Sequence, residues 1–104
     1  MKKMILLFAI VFTSEAVMGL CTQTSNRLGS HLLGLDSSNG MIFVGFESSH
    51  GQCGCSSYIR FRPENTDVDK ALSILLSAKM SQRTVRVDLL TKGDCDSGLR
   101  VYVQ

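Results

Sequence analysis

The reactive groups of this chain are few: four cysteines, two histidines and a pair of adjacent serines ahead of one of those histidines. Ser48, Ser49 and His50 put two hydroxyls beside an imidazole, the ingredients of a nucleophile and its base. Such a site is made by spatial geometry, with a third group orienting the base, and neighbours in sequence rarely supply it. No motif places a carboxylate to orient His50, so the stretch reads as a solvated loop. No catalytic residue is assigned, and the chain is expected not to be an enzyme. His50, Cys53 and Cys55, with Cys95 as a fourth ligand, have the donor types of a copper or zinc site. Those thiols become disulfides in an oxidising compartment, so no metal and no cofactor is expected. His31 reads as a half-buried strand residue.

The compartment follows from the N-terminus. Lys2 and Lys3 precede an apolar run from Met4 to Phe12, and small or polar residues follow. This is the outline of a secretory signal peptide, with cleavage after Ala16 or Gly19. The run is too short to span a bilayer, which takes about 20 apolar residues. Leu20 before Cys21 is unsuited to a lipoprotein signal. The expected organisation is a cleaved signal peptide, residues 1–19, and a single domain, residues 20–104. The product is exported, periplasmic or secreted, with no stable membrane anchor. Loss of Lys2, Lys3 and Glu15 takes the formal charge from +2 to +1. A near-neutral chain gives no electrostatic case for nucleic acid.

A domain this small has a thin core and needs cross-links or assembly. Cys21, Cys53, Cys55 and Cys95 all follow the signal, and an even number in a short exported chain reads as disulfides. Cys53 and Cys55 are too close in sequence to bond without strain. Two pairings stay open: Cys53 with Cys95 and Cys55 with Cys21, or the swap. Either closes a long loop worth about 3 to 4 kcal/mol.

The elements that must position these groups centre on Thr66–Leu90, where helical and strand periods sit back to back. Thr66 is the expected N-cap, with Asp69 returning the bond. Val68, Ala71, Leu72, Leu75, Leu76, Ala78 and Met80 form the apolar stripe, and Lys70, Ser73 and Ser77 a narrow polar side. Ile74 lies off the stripe, either sunk in a small core or facing a second chain. Val85, Val87 and Leu89 then alternate with Arg86 and Asp88, the period of a half-buried strand.

Upstream, Cys21–Gly29 reads as an irregular arm. His31–Leu35 and Met41–Phe46 flank an Asn39-Gly40 hairpin turn. Met41 and Phe43 leave that second strand apolar on both faces, which calls for burial or a partner. Cys53–Phe61 reads as a third strand, ended by Pro63, and Leu99–Gln104 as the last. The expected class is mainly β (α+β). The order strand, strand, strand, helix, strand, strand fits a five-stranded, partly open barrel of the oligonucleotide/oligosaccharide-binding (OB) kind.

KALSILLSAKMSQRTVRVDLL, the cysteine in GDCDSG and the closing RVYV strand resemble a group of small exported bacterial proteins. Their shared pattern is a hairpin, a cysteine, a helix ending in a leucine-rich stretch, a strand and a second cysteine. The resemblance covers about residues 30–104. Its layout is similar to the pentameric receptor-binding B subunits of bacterial toxins, which implies an oligomer that binds receptors. The chain is shorter than those subunits and has no counterpart to their sugar-binding residues. Cys21 and one member of the CGC pair are additions to the group's single bridge.

Arg60, Arg62, Arg86 and Arg100 alternate outward and could gather into a basic surface for anionic sugars or a protein. Asp88 falls in the same outward set. Tyr58 and Tyr102 are outward aromatics. The candidate surface is therefore Met41, Phe43, Tyr58, Arg60, Ile74, Arg86 and Arg100. The functional expectation is a non-catalytic exported interaction module, oligomeric in the manner of toxin B subunits, recognising a glycan or protein. The alternatives are a monomeric envelope inhibitor or immunity-type protein, and a periplasmic metal binder.

Overall fold

The computed structural model describes residues 19–104, so the expected signal peptide lies, but for Gly19, outside the described residues. The described chain is mainly β, a six-stranded mixed sheet with one helix. The strands are β1 (Cys21–Asn26), β2 (Leu33–Leu35), β3 (Ile42–Gly45), β4 (Tyr58–Phe61), β5 (Val85–Leu89) and β6 (Gly98–Val103). The helix α1 (Val68–Met80) falls between β4 and β5, where its periodicity predicts it.

The strands lie in the order β1-β5-β6-β4-β3-β2. All neighbours are antiparallel except β4 and β6, which run parallel and meet at Phe61 and Gly98. The absent side chain of Gly98 permits that approach, since a Cβ there would stand 2.6 Å from the Phe61 ring. The expected five-stranded barrel is corrected to six strands in a sheet that is not closed. An isolated antiparallel bridge between Arg27 and Ser48 ties the end of β1 to the chain beyond β3.

The sixth strand is β1, in the segment expected to be an irregular arm. Two of its six residues are buried, and both are polar: Gln23 and Asn26. The β1–β5 register shifts between them, with Ser25 at φ 60°. This bulge turns two residues three apart to the same side, which a regular strand cannot do. Leu28, just beyond, is also buried. Three other strands are shorter than expected, β3 losing Met41 and Phe46 from its ends. Cys53–Ser57 is a turn rather than part of β4, and His31 precedes β2 and is exposed.

The helix is capped one residue later than expected. Asp67 is the N-cap and accepts a bond from the Lys70 amide at 3.2 Å. Ala71, Leu75 and Ala78 are its buried residues. They meet the inward side chains Ile42, Val44, Ile59, Phe61, Val85, Val87, Leu89 and Val101. Leu76 and Met80 stay exposed, so the buried stripe is narrower than the apolar one.

Disulfides join Cys21 to Cys53 and Cys55 to Cys95, with Cα atoms 5.9 and 5.6 Å apart. The buried Gln23 amide bonds to the turn that carries Cys53 and Cys55. Its Nε2, with two N–H groups, donates to Asn26 Oδ1 and the Cys55 carbonyl (both 2.8 Å) and also lies 3.1 Å from Ser49 Oγ. Its Oε1 accepts from the Cys53 amide at 3.1 Å. Asn26 Nδ2 donates in turn to the Gln23 and Val85 carbonyls.

Replacing Gln23 with Ala leaves several of these buried groups unpaired, at about 1 to 3 kcal/mol each. Gln23→Ala should therefore lose at least about 2 kcal/mol in urea denaturation. Cys95→Ser should lose about 2 to 5 kcal/mol. A denaturation midpoint left in place by either change contradicts this picture of the core.

Candidate interaction surface

Strand alternation sends Ile59, Phe61, Val85, Val87, Leu89 and Val101 toward the helix. It leaves Phe43, Tyr58, Arg60, Arg86, Asp88, Arg100 and Tyr102 on the other face. There the strand register builds two clusters.

The first lies on β3 and β4. Phe43 and Tyr58 stack with ring centroids 5.5 Å apart and planes 15° apart. The Arg60 guanidinium stands 4.8 Å from the Tyr58 centroid and 5.3 Å from that of Phe43, an attractive placement of a cation over aromatic faces. Its Nε donates to Asp36 at 2.6 Å and its Nη1 to Asp96 at 3.0 Å. These bonds hold Arg60 more firmly protonated than a free guanidinium. Arg62 stands 3.5 Å from Asp96 and 3.8 Å from Glu64.

The second centres on Asp88. The register sets it opposite Thr22 on β1 and opposite Arg100 on β6, and sets Arg86 opposite Tyr102. The carboxylate is 2% exposed. It accepts from Arg86 Nε and Nη2 (both 3.1 Å), Arg100 Nε (3.0 Å) and Thr22 Oγ1 (2.9 Å). The Arg86 guanidinium stands 4.6 Å from the Tyr102 ring centroid. Burial pushes the Asp88 carboxyl up, but the bonds from Arg86, Thr22 and Arg100 outweigh it and hold it below the ordinary carboxylate value.

The four outward arginines thus do not form a bare basic patch. Asp36, Asp96, Glu64 and Asp88 stand against them. What remains is two aromatic rings or ring pairs, each with a fixed guanidinium beside it. Ile74, half-buried against the core on the helix side of the sheet, lines a shallow groove between α1 and β6 and is not placed in the second cluster. Met41 is half-buried just ahead of β3 and enters neither cluster. Sequence reasoning missed Thr22, Asp36 and Asp96. Only Asp88 carried a signal, through its place in the outward alternation.

The other groups with reactive side chains lie elsewhere. Ser49 Oγ donates to Asn26 Oδ1 at 2.6 Å and accepts from the Gly51 amide, while His50 is exposed in the loop. All four cysteines are in disulfides. Among the described residues, no group of three or more His, Cys, Asp or Glu side chains is placed to hold a metal ion. No protein-family model matches the chain, and neither curated proteins nor solved structures give a significant match.

The sign of the Asp88 shift fixes a pH dependence. A carboxyl whose folded value lies below its unfolded value, about 3.9, contributes stability above that pH and loses it as pH falls through the folded value. Asp88→Asn should therefore be less stable than wild type at neutral pH, with the gap closing as pH falls below about 4. Denaturation curves at graded pH measure this. A gap that stays constant down to strong acid would show that Asp88 is not the acid-sensitive group.

Proposed function

We propose that this chain is a non-catalytic, exported binding module of OB type that recognises a glycan through the outer face of its sheet. The observation that carries the reading is the second cluster. Tyr102 is 45% exposed beside guanidinium groups that a buried carboxylate holds still. Arg100 donates its Nε to Asp88, its side chain is 51% exposed, and among the described residues no second carboxylate stands within ion-pair distance of it. An amphipathic ring beside fixed donors suits the apolar ring face and hydroxyls of a sugar. Because the donors are already ordered, binding does not have to order them.

Strand order supports the OB assignment. With β2 set aside, β1, β3, β4, β5 and β6 have the helix between the third and fourth strands and a parallel β4–β6 contact. The Arg27–Ser48 bridge draws the two ends of that order toward each other. Export is supported by the two disulfides, which persist outside the cytoplasm. Among the described residues no helix is long and apolar enough to cross a membrane. Self-association belongs to the same reading, through Ile74 where it lines the groove between α1 and β6.

A glycan array and native mass measurement test the proposal together. Binding to a glycan class should fall roughly tenfold or more in Tyr102→Ala and Arg100→Ala, about 1.4 kcal/mol per decade. Ile74→Asp should turn an oligomer into a folded monomer. A chain that binds no glycan and is strictly monomeric is instead the inhibitor or immunity-type protein.

A further inference from the structure

The cations of this chain divide by their surroundings. Arg60, Arg62, Lys70, Arg86 and Arg100 each stand within ion-pair distance of an Asp or Glu. Among the described residues, Arg27, Lys79, Arg83 and Lys92 have no such partner. Arg27, Lys79 and Arg83 line a single groove of about 500 Å³ beside the C-terminal turn of α1. Its size is that of a small-molecule site.

Arg27 and Lys79 are anchored to neutral main-chain carbonyls, while the oxygen that Arg83 meets belongs to Gln104, the last residue, and carries terminal carboxylate charge. Arg27 Nη1 donates to the Gln82 carbonyl at 3.3 Å, and Arg83 Nε to the Gln104 main-chain oxygen at 2.7 Å. Lys79 Nζ donates to the His31 carbonyl. Each bond fixes a stem and leaves other donors unspent. Like charges gathered in a cleft raise the local potential, and a bound anion discharges it. Guanidinium forks match the oxygens of phosphate or sulfate.

Glu47 supplies the second half of the argument. Its carboxylate lines the same groove, yet no cation lies within ion-pair distance of it, and it accepts no hydrogen bond among the described residues. It rests against Gly29, where a Cβ would stand 1.5 Å from Glu47 Oε1 and where φ is +56°. Glycine at that position is what lets the carboxylate come so close. A bare anion would meet the cations and be repelled by Glu47. A ligand with hydroxyls next to its anionic group satisfies both.

We propose that this groove binds an organic phosphate or sulfate ester carrying free hydroxyls, of the sugar phosphate class. Arg27, Lys79 and Arg83 take the ester oxygens, and Glu47 accepts from a hydroxyl. The site is separate from the sheet's outer face and stands whether or not that face binds a glycan.

Isothermal titration of the disulfide-bonded protein at low salt tests it with four probes: glucose 6-phosphate, glucose 6-sulfate, glucose and inorganic phosphate. At least one ester should bind, glucose should not, and ester binding should weaken as salt is raised. The double variant Arg27→Gln/Arg83→Gln should bind the ester roughly tenfold or more weakly, as expected on losing charge-assisted bonds. Glu47→Gln should narrow the preference for ester over inorganic phosphate. If the double variant melts early, Lys79→Gln gives the same readout from a different stem. Failure of both esters to bind, binding unchanged in these variants, or inorganic phosphate bound as tightly as the esters would each overturn the proposal.

Discussion

Cys53 and Cys55 leave one short turn by two different routes. Cys53 is bonded to Cys21 at the start of β1, and Cys55 to Cys95 in the loop between β5 and β6. The turn therefore pins an edge strand and a distant loop to one point. In a domain as small as the described residues 19–104, this constraint supplements a thin core. Each bridge narrows the unfolded ensemble by about 3 to 4 kcal/mol on the loop-entropy model. The bridges also enclose backbone groups that water cannot reach. The Gln23 amide meets that need, joining the Cys53 amide, the Cys55 carbonyl, Asn26 and Ser49.

The outer face inherits its geometry from this frame. Holding β1 in place sets Thr22 opposite Asp88, and the β5–β6 register sets Arg100 on the other side. One carboxylate then accepts from three side chains on three strands. Arg86 is fixed over Tyr102 as a result. The first cluster depends on the second bridge in a similar way. The Cys95 carbonyl accepts the Arg60 amide at 2.8 Å, and Asp96 beside it holds the Arg60 guanidinium. Sulfur, sheet register and side-chain charge thus form one connected arrangement.

How far the sequence reveals this depends on whether each signal is local. The helix and β5 are legible because their periods are set by apolar side chains, and Ala71, Leu75, Ala78, Val85, Val87 and Leu89 are all buried. Strand β1 is illegible because its buried residues are Gln23 and Asn26, and a bulge breaks the two-residue period between them. The cap moved from Thr66 to Asp67 because adjacent side chains offer equivalent oxygens. The arginine alternation is readable, but its neutralisation is not. Asp36 and Asp96 come from loops whose positions only the tertiary fold decides. The cysteine pairing has the same character, since the CGC spacing excludes one bond and leaves two arrangements equivalent.

The claim beneath all of this is that the CGC turn ties β1 through Cys53 and the β5–β6 loop through Cys55. Proteolysis of the unreduced protein with thiols blocked, followed by mass spectrometry of the linked peptides, reads that connectivity directly. Peptides joining Cys21 to Cys53 and Cys55 to Cys95 are expected, with cleavage between Cys53 and Cys55 needed to separate them. Peptides joining Cys21 to Cys55 and Cys53 to Cys95, or blocked free thiols at any of the four, would contradict it.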